Sequence, residues 1–297
     1  MEKRAAAVGR RADNAERRMQ DFRNKTAVIT GAASGIGLAL AQRAAREGMR
    51  LVLADINEAQ LAEAAKTLSV PADDLCTRRV DVSREEELAA LADEAFRRYG
   101  AVHLLCNNAG VGLTRLAWEL SSADWEWILG VNLRSVAHAV RHFVPRMLAQ
   151  EGESHIVNTA SVAGLLSTPG MAAYNASKHG VVTLSETLYA ELAERKARIG
   201  VSVLCPAWVP TAIHTSARNR QARYGEAAPP SAASAAYEAR MSGAVKSGRL
   251  TADDMAGATF DAVKENRFYI IPHARIKQAI RLRMEDILDD RNPTPLG

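Results

Sequence analysis

One junction constrains this chain more than any other. "KTAVIT" (25–30) reads as a buried strand, "TGAASGIG" (30–37) as a glycine-rich turn, and "GIGLALAQRAAREG" (35–48) as a helix closed by Gly48. Gly31, Gly35 and Gly37 permit a tight turn and close backbone approach. The unpaired N–H groups and dipole of the helix N-terminus then offer an anion, such as a pyrophosphate, a seat at the strand's carboxyl end. A glycine-rich turn alone is weak evidence for a nucleotide, because many strand-to-helix turns use glycine. Here the strand, turn and helix arrive in the required order.

The same rhythm continues. Strands are predicted at 49–56, 75–82, 102–110, 154–161, 199–207 and 267–271, with helical segments over 57–68, 122–149 and 172–195. Ser83 with Glu86 predicts a capping box for the helix after the third strand, and Thr251 with Asp254 predicts a later one. The long 122–149 segment is expected to kink or break near Pro145. Near-continuous apolar strands alternating with helices predict an α/β fold, one doubly wound domain whose mostly parallel seven-stranded sheet is covered on both faces. The expected organisation is a basic extension over 1–23, the domain over 24–273, and a helix and tail over 274–297. Within the domain, 212–250 stands outside the rhythm as an Ala-, Arg- and Pro-containing insertion, a candidate substrate lid.

Charge and cysteine usage narrow the function classes. Residues 1–23 carry seven basic and four acidic side chains, +3 of the net +4, and read as a solvated terminus. With no apolar core the segment is not a secretory signal, and Met19 is an alternative start. The near-neutral remainder argues against a nucleic-acid partner. No apolar run is long enough to span a membrane. Cys76, Cys106 and Cys205 lie in strand-like runs and read as buried thiols of a cytoplasmic protein, not as a disulfide or metal set.

Asp55 ends the second strand 18 residues past Gly37, placed to accept from a ribose hydroxyl pair. Its alternative role is the N-cap of the next helix. A ribose 2′-phosphate beside this carboxylate would oppose its charge, and neither Ser34 nor Ile56 supplies a cation, so NAD(H) is expected over NADP(H). "YNASK" (174–178) sets a phenol and an ammonium at i and i+4 on one helix face. A nearby ammonium favours phenolate, so Tyr174 is expected to work as an acid/base with a lowered pKa.

"TGAASGIG", "NNAG" (107–110), "VN" (131–132), "SVAG" (161–164) and "YNASK" follow one another in the order and approximate spacing of the short-chain dehydrogenase/reductase family, which the chain resembles over about 25–271. The resemblance implies a Rossmann-type sheet, a nicotinamide cofactor and a catalytic tetrad of Asn132, Ser161, Tyr174 and Lys178. It implies that Ser161 holds the substrate oxygen at Tyr174 and that Asn132 orders a water relaying protons from Lys178. For the cofactor it implies Gly31, Ser34, Gly35, Ile36, Gly37, Asp55, Asp81, Val82, Asn107, Asn108, Ala109, Gly110, Tyr174, Lys178, Pro206, Val209 and Thr211. The family more often has glycine where this chain has Ala207, so that position must avoid a positive φ. Homodimers or homotetramers built on 122–149 and 172–195 are implied in the same way.

Leu113, Leu116, Trp118, Leu165, Leu166 and Trp208 are expected to line an apolar substrate pocket, favouring a lipophilic secondary alcohol or ketone. Arg115 reads as an exposed loop arginine, and His155 and His179 as packing or surface residues. The resemblance disfavours epimerases and enoyl reductases. Two alternatives stand: an NADP(H)-dependent carbonyl reductase, with Arg43 or Arg79 meeting the phosphate, and a non-catalytic dinucleotide-sensing regulator.

Overall fold

The computed structural model describes residues 19–295. Seven strands, Thr26–Thr30 (β1), Arg50–Asp55 (β2), Leu75–Arg79 (β3), Leu104–Asn107 (β4), Ser154–Thr159 (β5), Ile199–Leu204 (β6) and Tyr269–Ile270 (β7), form one sheet in the order β3-β2-β1-β4-β5-β6-β7. Every neighbouring pair is parallel. Helices Gly35–Arg46 (α1), Glu58–Lys66 (α2), Glu85–Tyr99 (α3), Ser122–Leu129 (α4), Ser135–Ala149 (α5), Ala172–Glu194 (α6), Ala232–Lys246 (α7), Ala252–Glu265 (α8) and Ile276–Leu288 (α9) complete the described chain.

Alternation along β1 builds two cores. Val28 packs into the layer containing Leu88, Leu91, Phe143 and Leu188 from α3, α5 and α6, whereas Ala27 and Ile29 face Leu40 of α1 and Phe260 of α8. Each fully buried leucine in these layers contributes about 1.5–3 kcal/mol. Met19 and Phe22 belong to the second layer, Phe22 lying 4.9 Å from the Phe260 ring. The solvated terminus expected over 1–23 therefore does not extend to these two side chains, and its residues 1–18 lie outside the described residues.

The strand order reverses between β1 and β4, and the crevice beyond their carboxyl ends is where ligands of open parallel sheets bind. Two local expectations need correction. Helix α3 starts with Arg84 at its N-cap. Ser83 is turned away, its N and Oγ donating to Asp81 Oδ1 at 3.1 and 2.5 Å, while Glu87, not Glu86, reaches back to Asp81 N at 2.7 Å. The long helical stretch breaks at a π-turn, Gly130–Arg134, and continues through Pro145. Pro145 is exposed, as is Arg141, whose carbonyl loses its helical donor to the proline. At the π-turn the Ser135 hydroxyl takes the Val131 carbonyl at 2.6 Å, competing with the regular helical bond. The Thr251–Asp254 box forms as expected.

Candidate active site

The crevice begins at the glycine turn. Gly31 has φ +67°, and a Cβ there would meet Ala109 Cα at 2.9 Å, so the turn lies directly on the β4 exit. Gly37 sits behind it, where a Cβ would fall 2.0 Å from the Gly31 carbonyl. Thr30 Oγ1 accepts from Asn108 N at 3.0 Å and Ala109 N at 3.1 Å, and Asn108 Nδ2 donates to Thr30 O at 3.1 Å. These bonds lock the two strand exits together. Ser34 is the N-cap of α1 but makes no side-chain cap bond, which leaves the first turn's N–H groups directed at the crevice. A bare turn held this close is a cradle that side chains would fill, and it fits a pyrophosphate.

Asp55 is fixed by two main-chain donors, Ala33 N to Oδ2 and Asn57 N to Oδ1, both at 3.0 Å. The helix-cap alternative fails, because Asn57 caps α2 by accepting from Gln60 N. Asp81 is buried. Burial works to raise its pKa, but Arg223, 2.8 Å from Oδ2, and Ser83 hold the carboxyl below its ordinary value.

At the reacting end, Tyr174 is 7% and Lys178 2% exposed, one turn apart on α6. Lys178 Nζ donates to Thr159 O at 2.9 Å and lies 5.7 Å from the Tyr174 ring centroid. Burial lowers the ammonium to about 8. Tyr174 differs from expectation: burial raises its pKa, and only a hydrogen bond with Ser161 opposes the rise. The protein's own groups thus leave the phenol protonated, because desolvation outweighs an ammonium that sits over the ring rather than at the hydroxyl. Ser161 follows β5 and accepts from Ala163 N at 3.1 Å.

Asn132 lies in the π-turn, 1% exposed. Its Oδ1 accepts from Val111 N at 2.9 Å, and its Nδ2 donates to Val111 O at 3.0 Å and Ser177 Oγ at 3.1 Å. Ser177, inside "YNASK", donates in turn from its Oγ to Tyr174 O at 2.7 Å. Both Nδ2 hydrogens and one Oδ1 lone pair are therefore engaged, and the carboxamide braces α6 against the β4 exit. Sequence reasoning missed Thr30 and Ser177 although both stand inside the quoted motifs; a hydroxyl in such a motif was the available signal.

One groove of about 810 Å³ gathers Ser161, Tyr174 and Lys178 with the glycine turn, Asp55, Asp81, Val82, Asn108, Ala109, Gly110, Pro206, Val209 and Thr211. Gly37 and Asn132 stand behind its wall. Asn107 is not a lining residue: its Nδ2 donates to Asn158 Oδ1 at 2.8 Å within the sheet. Ala207 stays out of the left-handed region. Leu113, Leu166 and Trp208 line the groove as expected, but Leu116, Trp118 and Leu165 do not, and Trp118 is 81% exposed because the loop turns its side chain outward. Met171, Ile213, Tyr237 and Met241 complete the apolar end, and Ile276 of α9 joins them. Arg115 is buried, not exposed, and its Nη2 donates to Ala228 O, tying the 212–250 segment to the 111–118 loop. His155 is a packing residue, its Nε2 2.7 Å from Ser202 Oγ, and His179 Nδ1 lies 3.0 Å from Asn175 O.

The three cysteines are unpaired, and burial pushes Cys106 and Cys205 up to about 12. Among the described residues no group of three or more His, Cys, Asp or Glu could hold a metal ion, and no helix is long and apolar enough to cross a membrane.

Residues 25–222 match the family model described as short chain dehydrogenase. The chain is 35% identical over 277 residues to the CLA biosynthesis dehydrogenase/reductase of Lactiplantibacillus plantarum, covering 93% of this chain and 97% of that one. It is 33% identical over 271 residues to the 1-deoxy-11-beta-hydroxypentalenate dehydrogenase of Streptomyces exfoliatus, covering 91% and 89%. A crystal structure of a short chain dehydrogenase/reductase from Burkholderia phymatum in complex with NAD superimposes with a TM-score of 0.91 at 50% identity, over 94% of this chain and all of that one (100%).

Proposed function

The chain belongs to the short chain dehydrogenase family, and from that premise we propose that it transfers a hydride between NAD(H) and a lipophilic secondary alcohol or ketone, with Tyr174 as acid/base. The observation that carries the proposal is the single groove that runs from Asp55 and the glycine turn to Ser161, Tyr174 and Lys178.

Gly31, Ser34, Gly35 and Ile36 would hold the pyrophosphate, Asp55 the ribose hydroxyls, Asp81 and Val82 the adenine side, and Pro206, Val209 and Thr211 the carboxamide. An oxidised nicotinamide bound there supplies the hydride acceptor and a positive charge that favours phenolate. Ser161 and Tyr174 together hold the substrate oxygen. Tyr174 takes its proton in oxidation and returns it in reduction. Lys178, anchored on the Thr159 carbonyl and titrating near 8, exchanges protons readily around neutral pH. The Asn132 side chain spends both Nδ2 hydrogens and one Oδ1 lone pair on Val111 and Ser177, so it would position a relay water as an acceptor only.

Asp55 supports NAD(H). A 2′-phosphate at contact distance from it would cost on the order of 4 kcal/mol near a protein surface. The arginines considered as counter-charges to this phosphate are engaged by carboxylates: Arg43 pairs with Glu47 at 2.8 Å and Arg79 with Glu87 at 3.3 Å. The Burkholderia phymatum relative described with NAD agrees with this reading. Leu113, Leu166, Met171, Trp208, Ile213 and Met241 support a lipophilic substrate, in keeping with the pentalenate dehydrogenase relative. Three unpaired thiols suit a reducing cytoplasm. Assembly as a homodimer or homotetramer through α4–α5 and α6 completes the proposal.

Titration with NADH and NADPH, followed by tryptophan quenching, tests it. NADH binding at least about 10-fold tighter supports the assignment. Preference for NADPH would remove Asp55 as ribose reader, and binding of neither would remove the cofactor.

A further inference from the structure

The 212–250 segment does more than face the substrate end. After the turn Ala212–Asn219, it crosses to the Asp81 end of the groove and is pinned there by two arginines. Arg220 Nη1 lies 2.6 Å from Asp124 Oδ1 on α4, with both side chains buried, and its guanidinium stacks 5.2 Å over the Trp127 ring. Arg220 also donates to Gly225 O at 2.8 Å and Tyr224 O at 2.9 Å, which shapes the strap internally. Arg223 pairs with Asp81 and donates to Ser83 Oγ. Tyr224, buried between these contacts, lies where a Cβ on Gly130 would come within 3.3 Å of its Oη.

Gln221 stands between the two pins. It lines the groove, and its Nε2 donates to Asn219 O at 3.0 Å, which fixes the amide plane. Its Oε1 is buried and has no hydrogen-bond partner among the described residues. A buried amide oxygen without a donor is rare and costly unless a donor arrives. Asp81 marks the end of the groove to which the strap is tied.

We propose that Gln221 is a further dinucleotide contact: held by the Arg220 and Arg223 pins, its Oε1 accepts a hydrogen bond from an N–H or O–H of the cofactor's adenosine half. The 212–250 segment then closes on the cofactor as well as on the substrate. This inference rests on the cofactor reading above and adds to it a residue that lies outside the glycine turn and the strand ends.

The test is titration of the wild type, Gln221→Leu and Arg223→Met with NADH and with ADP-ribose, which carries the adenosine half without nicotinamide. The leucine variant is expected to lose about fivefold in affinity for both ligands, the worth of one neutral hydrogen bond. Arg223→Met, which frees the strap, is expected to lose affinity for both in the same direction, and Arg223→Lys to retain most of it. Thermal unfolding of the ligand-free Gln221→Leu protein should be unchanged or raised, since the substitution deletes a buried orphan acceptor. Equal affinity of Gln221→Leu and wild type for both ligands would overturn the proposal. So would a loss confined to NADH, or a lowered unfolding midpoint that accounts for the loss. If the wild type binds neither ligand, the cofactor reading itself fails, and this inference with it.

Discussion

At Asp55 two main-chain N–H groups hold a carboxylate at the rim of the groove, so its charge is fixed in place rather than swinging on a surface side chain. On the proposed function, discrimination against a 2′-phosphate resides in this one residue. Asp55→Ala is predicted to narrow the NADH/NADPH affinity ratio by about 10-fold or more, read by parallel titrations. An unchanged ratio would place the discrimination elsewhere. Tyr174 and Lys178 were legible in the sequence because helical geometry alone puts i and i+4 on one face. The sign of the tyrosine's shift was not. It depends on burial and on where Nζ lies relative to the hydroxyl, and neither is written in a five-residue motif. Trp118 and Arg115 failed in opposite directions for a related reason: a loop residue's exposure is set by the chain that packs over it. Ala228 and the insertion cover Arg115, whereas the described residues leave Trp118 81% exposed.

Among the elements, β1, β2, β4 and β6 were readable because parallel strands buried on both faces are predominantly apolar, and β1 and β4 flank the crevice where the strand order reverses. The π-turn was not readable. It arises from a competition between the Ser135 hydroxyl and the helix for one carbonyl, together with the pull of Val111 and Ser177 on Asn132. The capping box at Ser83 failed because Asp81 offered that serine a closer acceptor. The turn after Ser161 packs on α6 so closely that a Cβ on Gly164 would meet Lys178 O at 2.5 Å. Gly164→Ala must push α6 away from β5, and with it Lys178 away from the Thr159 carbonyl. We predict a stability loss of about 1–3 kcal/mol in urea unfolding and a fall in kcat larger than any rise in KM for the cofactor. A variant with unaltered kcat would show that this contact does not set the position of the lysine.

The whole molecule carries a buried imidazole in the middle of its sheet. His155 on β5 lies across Gly200 of β6, where a Cβ would fall 2.2 Å from its Nδ1, and burial lowers its pKa to about 3. In the unfolded chain it titrates near 6.5. Below that value the unfolded state binds the extra proton, so stability falls as pH drops from 6.5 toward 3. From this residue alone, about 2 kcal/mol should be lost between pH 7 and pH 5. Urea unfolding at the two pH values should show that loss in the wild type and a shallower one in His155→Gln, whatever the variant's absolute stability. Equal slopes would mean that the imidazole titrates alike in the folded and the unfolded chain.

The most direct test of the central claim is turnover at saturating cofactor. Wild type and Tyr174→Phe are given NAD and a panel of lipophilic secondary alcohols, and the appearance of reduced nicotinamide is followed. The account predicts turnover by the wild type on at least one alcohol. It predicts a loss of about 10²–10⁴-fold in the phenylalanine variant, with NADH affinity retained. Turnover undiminished in Tyr174→Phe would contradict it.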